Sequence, residues 1–243
     1  MLKRCFDMLA SAFGLILLSP LLLPIIFLVW MQDYQSPFYI APRMARGNGK
    51  FRMIKLRSMT VNAAKSGVNS TSANDRRITP IGHFIRRFKL DEFMQLWNVL
   101  RGDMSLVGPR PQVELDASLY TDVEKKMLTV RPGITDLASI VFSDEGDVLA
   151  GSDNPDLKYN QVIRPWKSRL ALLYIDHQSF LLDVRIIVLT VLAIVSREYA
   201  LENVVEILKN WDADELVIRM ARRQEPLKPY PPPGADSVVV SYP

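Results

Sequence analysis

Asp91 and Glu92 stand side by side, preceded by Arg86, Arg87 and Lys89, in a stretch that runs on to the turn Gly108-Pro109-Arg110-Pro111. One carboxylate can attack phosphorus and another can hold a hard cation, while neighbouring Lys and Arg neutralise phosphate oxygens. The residue types therefore point to phosphoryl transfer. Successive helical residues project about 100° apart, so the two carboxylates need not share a task. The same pattern also suits a surface Asp-Glu pair that balances the three bases.

Further basic residues fall in segments suited to phosphate. The stretch from Phe51 to Met59 follows the turn signal Arg46-Gly47-Asn48-Gly49 and alternates as a strand does, with Lys55 and Arg57 on one face. A solvated basic edge strand gives the same pattern. The rigid Gly-Pro-Arg-Pro loop can present Arg110 as a bidentate phosphate ligand, and Arg131-Pro132-Gly133-Ile134-Thr135 repeats that logic. The candidate phosphate-binding set is Lys55, Arg57, Arg86, Arg110 and Arg131. Asn62 to Asn74 is small and polar, a loop able to close over a substrate. His83 and His177 are isolated and read as structural. Cys5 is the one cysteine, which excludes a disulfide framework and a Cys-based metal site and fits a reducing compartment. Neither a Walker loop nor a GxGxxG motif is present.

These residues need elements to hold them, and the first is apolar. Leu15 to Met31, with the preceding Ser11-Ala12-Phe13-Gly14, approaches the ~20 residues that span a bilayer. The residues after it offer no small-residue cleavage pattern, so a removed signal peptide is not expected. Ser19-Pro20 and Pro24 interrupt the segment, and each proline lacks an amide donor; the Ser19 hydroxyl could partner a freed carbonyl. Both flanks are basic, with Lys3 and Arg4 before and Arg43, Arg46, Lys50, Arg52, Lys55 and Arg57 after. Positive flanks favour the cytoplasmic side, so a re-entrant hairpin of helices competes with a simple span. Residues 1–89 carry a net charge of +11 and residues 90–243 a net charge of −7. A basic, apolar front half suits anionic lipid and an anionic substrate; aromatic and basic residues do not interleave as they do on nucleic-acid surfaces. A second apolar run, Ile186 to Val195, is too short to span and reads as a core or interfacial helix, with Lys167 to Tyr174 before it. Glu202 to Arg223 is helical in composition, Pro226 to Pro233 reads as a stiff extended linker, and Ser237 to Tyr242 as an added strand or a disordered tail.

Several motifs in order resemble the bacterial sugar transferases, or monotopic phosphoglycosyl transferases, which start glycan assembly on polyprenol phosphate. They are Lys3-Arg4 with Asp7, Ser19-Pro20, Lys55-Leu56-Arg57-Ser58-Met59, Asp91-Glu92 with Gln95 to Leu100, Gly102 to Pro111, and Arg131 to Thr135. The resemblance covers residues 1–198. It implies a membrane hairpin broken at Ser19-Pro20 over residues 1–36 and a cytoplasmic catalytic domain over 37–198, leaving a C-terminal helix and Pro-rich tail over 199–243. The fold class expected is α/β, helix-rich and of α+β character, with interfacial amphipathic helices. Asp91 is implied as the nucleophile toward the β-phosphate of a UDP-sugar, with UMP leaving and polyprenyl (undecaprenyl) phosphate then taking the phosphosugar. Mg²⁺ is implied at the Asp91-Glu92 pair. The implied location is the bacterial inner membrane, facing the cytoplasm. Its partners would be UDP-sugar, polyprenyl phosphate and membrane lipid, with downstream glycosyltransferases or a second copy as further candidates and no nucleic acid. The chain departs from the family at Phe93-Met94, where Leu-Pro is common, at Asp136, where glycine is usual, and at Lys50, which runs straight into Phe51. The alternative to an enzyme is a catalytically silent membrane scaffold of a glycan assembly complex.

Overall fold

The computed structural model describes residues 2–63, 70–72 and 75–243. The polar loop expected to close over a substrate falls largely outside the described residues.

The chain opens on α1, Leu2–Met31, a thirty-residue helix with both prolines inside it. A hairpin of two helices was expected at Ser19-Pro20; the structure has one uninterrupted helix. The expected partner for the orphaned carbonyl is in place: Pro20 cannot bond Ile16 O, and the Ser19 hydroxyl donates to it at 2.7 Å. Asp7, Ser11, Leu22, Ile25 and Val29 are buried at helical spacing, so one stripe of α1 lies against the rest of the molecule. Phe13, Ile16, Leu17, Leu23 and Phe27 on the remainder are exposed. This helix is long and apolar enough to cross a membrane.

Polar residues fasten both ends of α1. A hairpin follows it, β1 Phe38–Met44 antiparallel to β2 Lys50–Leu56. Then come α2 Pro80–Arg87, a 3-10 turn over Leu90–Met94, α3 Gln95–Arg101 and β3 Ser105–Val107. Arg4 donates to the carbonyls of Val99 at 2.6 Å and Leu100 at 3.0 Å, placing a cation at the C-terminal end of α3. Buried Asp7 accepts from the Ser105 hydroxyl at 2.8 Å and from Leu106 N–H at 3.3 Å. At the far end, Arg57 grips Asp33 with both terminal nitrogens, at 2.5 and 2.6 Å, and reaches Val29 O at 3.4 Å.

The remaining elements are α4 Glu114–Ser118, β4 Gly133–Thr135, α5 Leu137–Val141, α6 Glu145–Leu149, α7 Pro155–Val162, α8 Arg164–His177, α9 Phe180–Val195, α10 Arg197–Asn210 and α11 Glu215–Ala221. Strands β3 and β4 pair in parallel. Helices α5 and α7 to α11 share one core, in which Ile140, Ile163, Leu170, Ile186, Val204 and Leu208 are fully or almost fully enclosed. Helix α10, which begins the expected C-terminal segment, packs into this same core. Helix α9 buries Ile186 and Leu189 and exposes Val188, Val191 and Ile194, a half-core, half-exposed helix as its composition suggested. Phe180 at its start packs edge-on against Phe6 of α1, 5.2 Å between centroids. His177 stacks on Trp211 at 4.5 Å, in keeping with a structural role.

The proline-rich end adds no strand; it is laid over the domain. Tyr230 stacks on Trp166 with centroids 4.5 Å apart, and the Arg169 guanidinium lies 4.8 Å from the Tyr230 ring. Tyr230 N–H donates to Gln161 O at 3.0 Å, the Gln161 amide donates to Val239 O at 2.8 Å, and the Tyr242 hydroxyl donates to Asp116 at 2.8 Å.

The Asp33–Arg57 clamp sets an acid-dependent contribution to stability. Bonding to Arg57 holds the Asp33 carboxyl down at about 2. Its unfolded value is about 4, so the clamp stabilises the fold above that pH and is lost as pH falls through about 2. Asp33→Asn is expected to be less stable than the parent protein at pH 6. The difference between their denaturation midpoints should shrink as pH falls from about 4 to about 2.

Candidate active site

Three segments distant in sequence meet at the Asp91-Glu92 pair, and the local chemistry of each explains how. After α2, Lys89 adopts a left-handed backbone (φ 52°), and the chain turns into the 3-10 stretch that carries both carboxylates. They sit on this turn, directly ahead of α3. Helix α3 buries Leu96 and leaves Trp97 exposed.

The second segment is β2, held against α3 by one side chain. Asn98 is completely buried; its oxygen accepts from Ile54 N–H at 2.9 Å and its amide donates to Arg52 O at 2.8 Å. Those are the backbone groups that β2 turns away from β1, so the carboxamide takes the place of a third strand. Lys55 is thereby aimed at the turn. Its ammonium lies 3.3 Å from Asp91 Oδ2 and 3.6 Å from Glu92 Oε1.

The third segment brings Arg110. Gly133 N–H donates to Pro109 O at 2.9 Å and Gly108 N–H to Thr135 O at 3.1 Å. A Cβ on Gly133 would come within 2.1 Å of Gly108 N, and one on Gly108 within 2.5 Å of Arg131 O. The two Gly-Pro turns can cross only because both glycines lack side chains. Arg110 emerges from this crossing and donates to Glu92 Oε1 at 2.5 Å.

Burial alone would raise the pKa of Glu92. Arg110 above all, then Lys55 and Lys89, reverse that effect and hold the carboxyl well below the ordinary range. Arg110 is correspondingly raised, chiefly by Glu92. Arg110 also lines a small cleft, together with Gln112, Asp116, Ser139, Tyr159 and Lys167 among others. Glu145 of α6 forms an ion pair with Lys167 there. Although burial raises its pKa, Lys167, then Arg110 and Lys55, hold Glu145 ionised.

Among the described residues, the other expected phosphate ligands form no ion pair with Asp91 or Glu92. The buried Arg57 guanidinium belongs to the Asp33 clamp. Arg86 ends α2, within electrostatic reach of Asp75. Arg131 is exposed, and its Nε donates to Gly102 O at 3.1 Å. Asp136, where the resemblance leads one to expect glycine, caps α5, its oxygen accepting from Ser139 N–H at 2.6 Å. Sequence reading missed Glu145, Lys167 and Asn98. Asn98 lies in the quoted motif, whereas Glu145 and Lys167 stand in no motif that would have marked them.

Both ion pairs of Glu92 go to Oε1 and that of Asp91 to Oδ2. Among the described residues, Oε2 of Glu92 and Oδ1 of Asp91 accept no protein hydrogen bond. No group of three or more His, Cys, Asp or Glu suited to a metal occurs among the described residues. Two oxygen donors without a closed cage fit Mg²⁺, which keeps waters and takes substrate phosphate oxygens as further ligands.

The bacterial sugar transferase family profile matches residues 1–197, and the chain belongs to this family. It is 40% identical over 151 residues to a UDP-galactose-lipid carrier transferase of Erwinia amylovora, covering 56% of this chain and 31% of that protein. It is 36% identical over 201 residues to an undecaprenyl-phosphate glucose phosphotransferase of Komagataeibacter xylinus, covering 78% of this chain and 35% of that protein. Over 190 residues it is 34% identical to the sugar transferase EpsL of Bacillus subtilis, covering 78% of this chain and 85% of that protein. The chain spans about a third of the length of the first two relatives.

Because Arg110 is the main influence that lowers the Glu92 pKa, Arg110→Gln is expected to raise it toward the value that burial alone favours. Carboxyl-carbon NMR of the labelled protein measures this, and an unmoved titration would show that Arg110 does not control the carboxyl.

Proposed function

We propose that this chain transfers a sugar 1-phosphate from a UDP-sugar to polyprenyl phosphate, releasing UMP, as the first membrane step of a glycan pathway. The observation that carries this reading is the Lys55 ammonium set between Asp91 and Glu92, with Arg110 on Glu92. An oxygen of Asp91 attacks the β-phosphorus of the donor. The bond from that phosphorus to the bridging oxygen breaks, UMP departs with the electron pair, and the phosphosugar remains on Asp91. A phosphate oxygen of the polyprenyl phosphate then attacks the same phosphorus and Asp91 leaves, giving the polyprenyl diphosphate sugar. Lys55 and Arg110 offset the phosphate charge that gathers as UMP leaves. Glu92 and Asp91 would hold a Mg²⁺ ion, which would supply further charge compensation when bound. The sugar stays open, since the relatives' names differ between galactose and glucose.

Membrane seating follows from α1. Its buried stripe lies along the domain and both its ends are fastened there, so its exposed apolar side is available to one leaflet. We infer that α1 lies in one leaflet of the inner membrane, with both its ends and the domain on the cytoplasmic side.

Incubation with a panel of UDP-sugars, undecaprenyl phosphate and Mg²⁺ should release UMP with at least one sugar. Intact-mass spectrometry should find a phosphosugar adduct on the unaltered protein and none on Asp91→Asn, whose turnover falls by about a thousandfold or more. An adduct on the variant would sink the assignment, and UDP in place of UMP would identify a transferase that moves sugar without phosphate. EDTA should abolish turnover; full rate in metal-free buffer would remove the metal from the reading.

Topology is tested in the Cys5→Ser background with Leu2→Cys and Asn48→Cys. Both new thiols should resist an impermeant reagent in intact cells, whereas labelling at residue 2 would establish a true span.

A further inference from the structure

Two of the ion pairs made by charged side chains of α8 differ in a way that bears on function. Arg164 and Glu124 are almost wholly buried, and their remaining groups are engaged: Arg164 donates to Asn160 Oδ1 at 3.1 Å and to Leu119 O at 2.6 Å, while Glu124 accepts from Ser168 at 2.6 Å and Thr121 N–H at 3.0 Å. That pair is structural. Lys167, one turn further on, has three donors, of which the pair with Glu145 uses one among the described residues. Its ammonium is flanked by Tyr159, 5.4 Å from the ring centroid, and Phe142, at 6.0 Å. Aromatic faces favour a cation without supplying acceptors. The side chain is 13% exposed and lines the cleft that also holds Arg110.

The charges form one cluster. Lys55 stands between Asp91 and Glu92, Arg110 meets the same Oε1 of Glu92 that faces Lys55, and Lys167, with Glu145 as its counter-ion, lines the cleft that also holds Arg110. Attack by Asp91 fixes one phosphate of a diphosphate near Lys55. The phosphate joined to it then has Arg110 and Lys167 as the cations on the cleft side.

Building on the proposed reaction, we propose that Lys167 binds the nucleoside-side phosphate of the donor, the one that departs as the nucleoside monophosphate, and that Glu145 is its counter-ion while the cleft is empty. Cleavage of the bridging bond leaves an added negative charge on this phosphate, which the Lys167 ammonium meets with no proton transfer. Lys167 so used acts on donor and released nucleotide and not on the lipid acceptor.

The test uses the full chain in lipid nanodiscs and reads UMP binding by calorimetry alongside steady-state kinetics. Lys167→Met should weaken UMP binding and raise KM for the UDP-sugar by about tenfold to a hundredfold, the scale of a lost bond between charged groups. KM for undecaprenyl phosphate should stay within about twofold, and Lys167→Arg should recover much of the UMP affinity. Because Lys167→Met leaves Glu145 partly buried without its partner, Lys167→Met/Glu145→Gln serves as the folding control, expected to melt near the parent protein and still bind UMP weakly. Unchanged UMP affinity in a folded Lys167→Met or double variant, absence of UMP binding to the parent protein, or equal loss for both substrates would overturn the proposal. Release of UDP by the parent protein would defeat the proposed reaction while leaving the UMP-binding result to judge Lys167 alone.

Discussion

The site depends on the Asn98 carboxamide lying along the free edge of β2. A two-stranded hairpin leaves one edge of each strand unpaired, and the backbone groups of Arg52 and Ile54 would be costly to bury without partners. Asn98 supplies one acceptor and one donor from a single rigid side chain and is fully enclosed as it does so. Since α3 follows directly on the turn carrying Asp91 and Glu92, the same contact sets the distance from Lys55 to both carboxylates. Met53, Val99 and Met104 close around it as an apolar cluster, so the amide has little competition from water.

Electrostatics then constrain what that geometry can do. Glu92 lies between two cations and stays ionised where burial alone would favour its protonated form. Cations already partnered by carboxylates can exchange those partners for phosphate oxygens at smaller cost than cations taken fresh from water. The crossing of the two glycine turns supplies the rigidity required, because Arg110 leaves a backbone that has no room to shift.

Much of this was legible in the sequence. Asp91, Glu92, Lys55 and Arg110 are charged residues in or beside rigid turns, and the structure brings all four together. The Asp33 partner of Arg57 was not legible, because a guanidinium in a basic stretch shows nothing of a long-range partner and Asp33 stands on the other side of the β1 strand in the chain. Glu145 and Lys167 were invisible for the same reason: the pair forms between α6 and α8, with no local spacing to mark it. The prolines of α1 were read correctly as a loss of hydrogen bonds, yet Ser19 makes good part of that loss and the helix continues. The C-terminal residues read as a linker because proline favours extended chain, but extended chain can also lie flat, and Tyr230 between Trp166 and Arg169 gives it a surface to lie on.

Fastening α1 through Lys3, Arg4 and Asp7 has a bearing on evolution and engineering. An anchor joined by a flexible tether can be exchanged for another, or trimmed to give a water-soluble enzyme. Here the apolar helix contributes hydrogen-bonding groups to the end of α3 and to β3, and Lys3 pairs with the buried Asp183 of α9, whose other oxygen accepts from Tyr174. Deleting it would strip partners from the elements that hold the carboxylates and Arg110. The greasy segment is therefore an inheritable part of the architecture, which descendants could lengthen or decorate at either end but could not readily replace with an unrelated anchor.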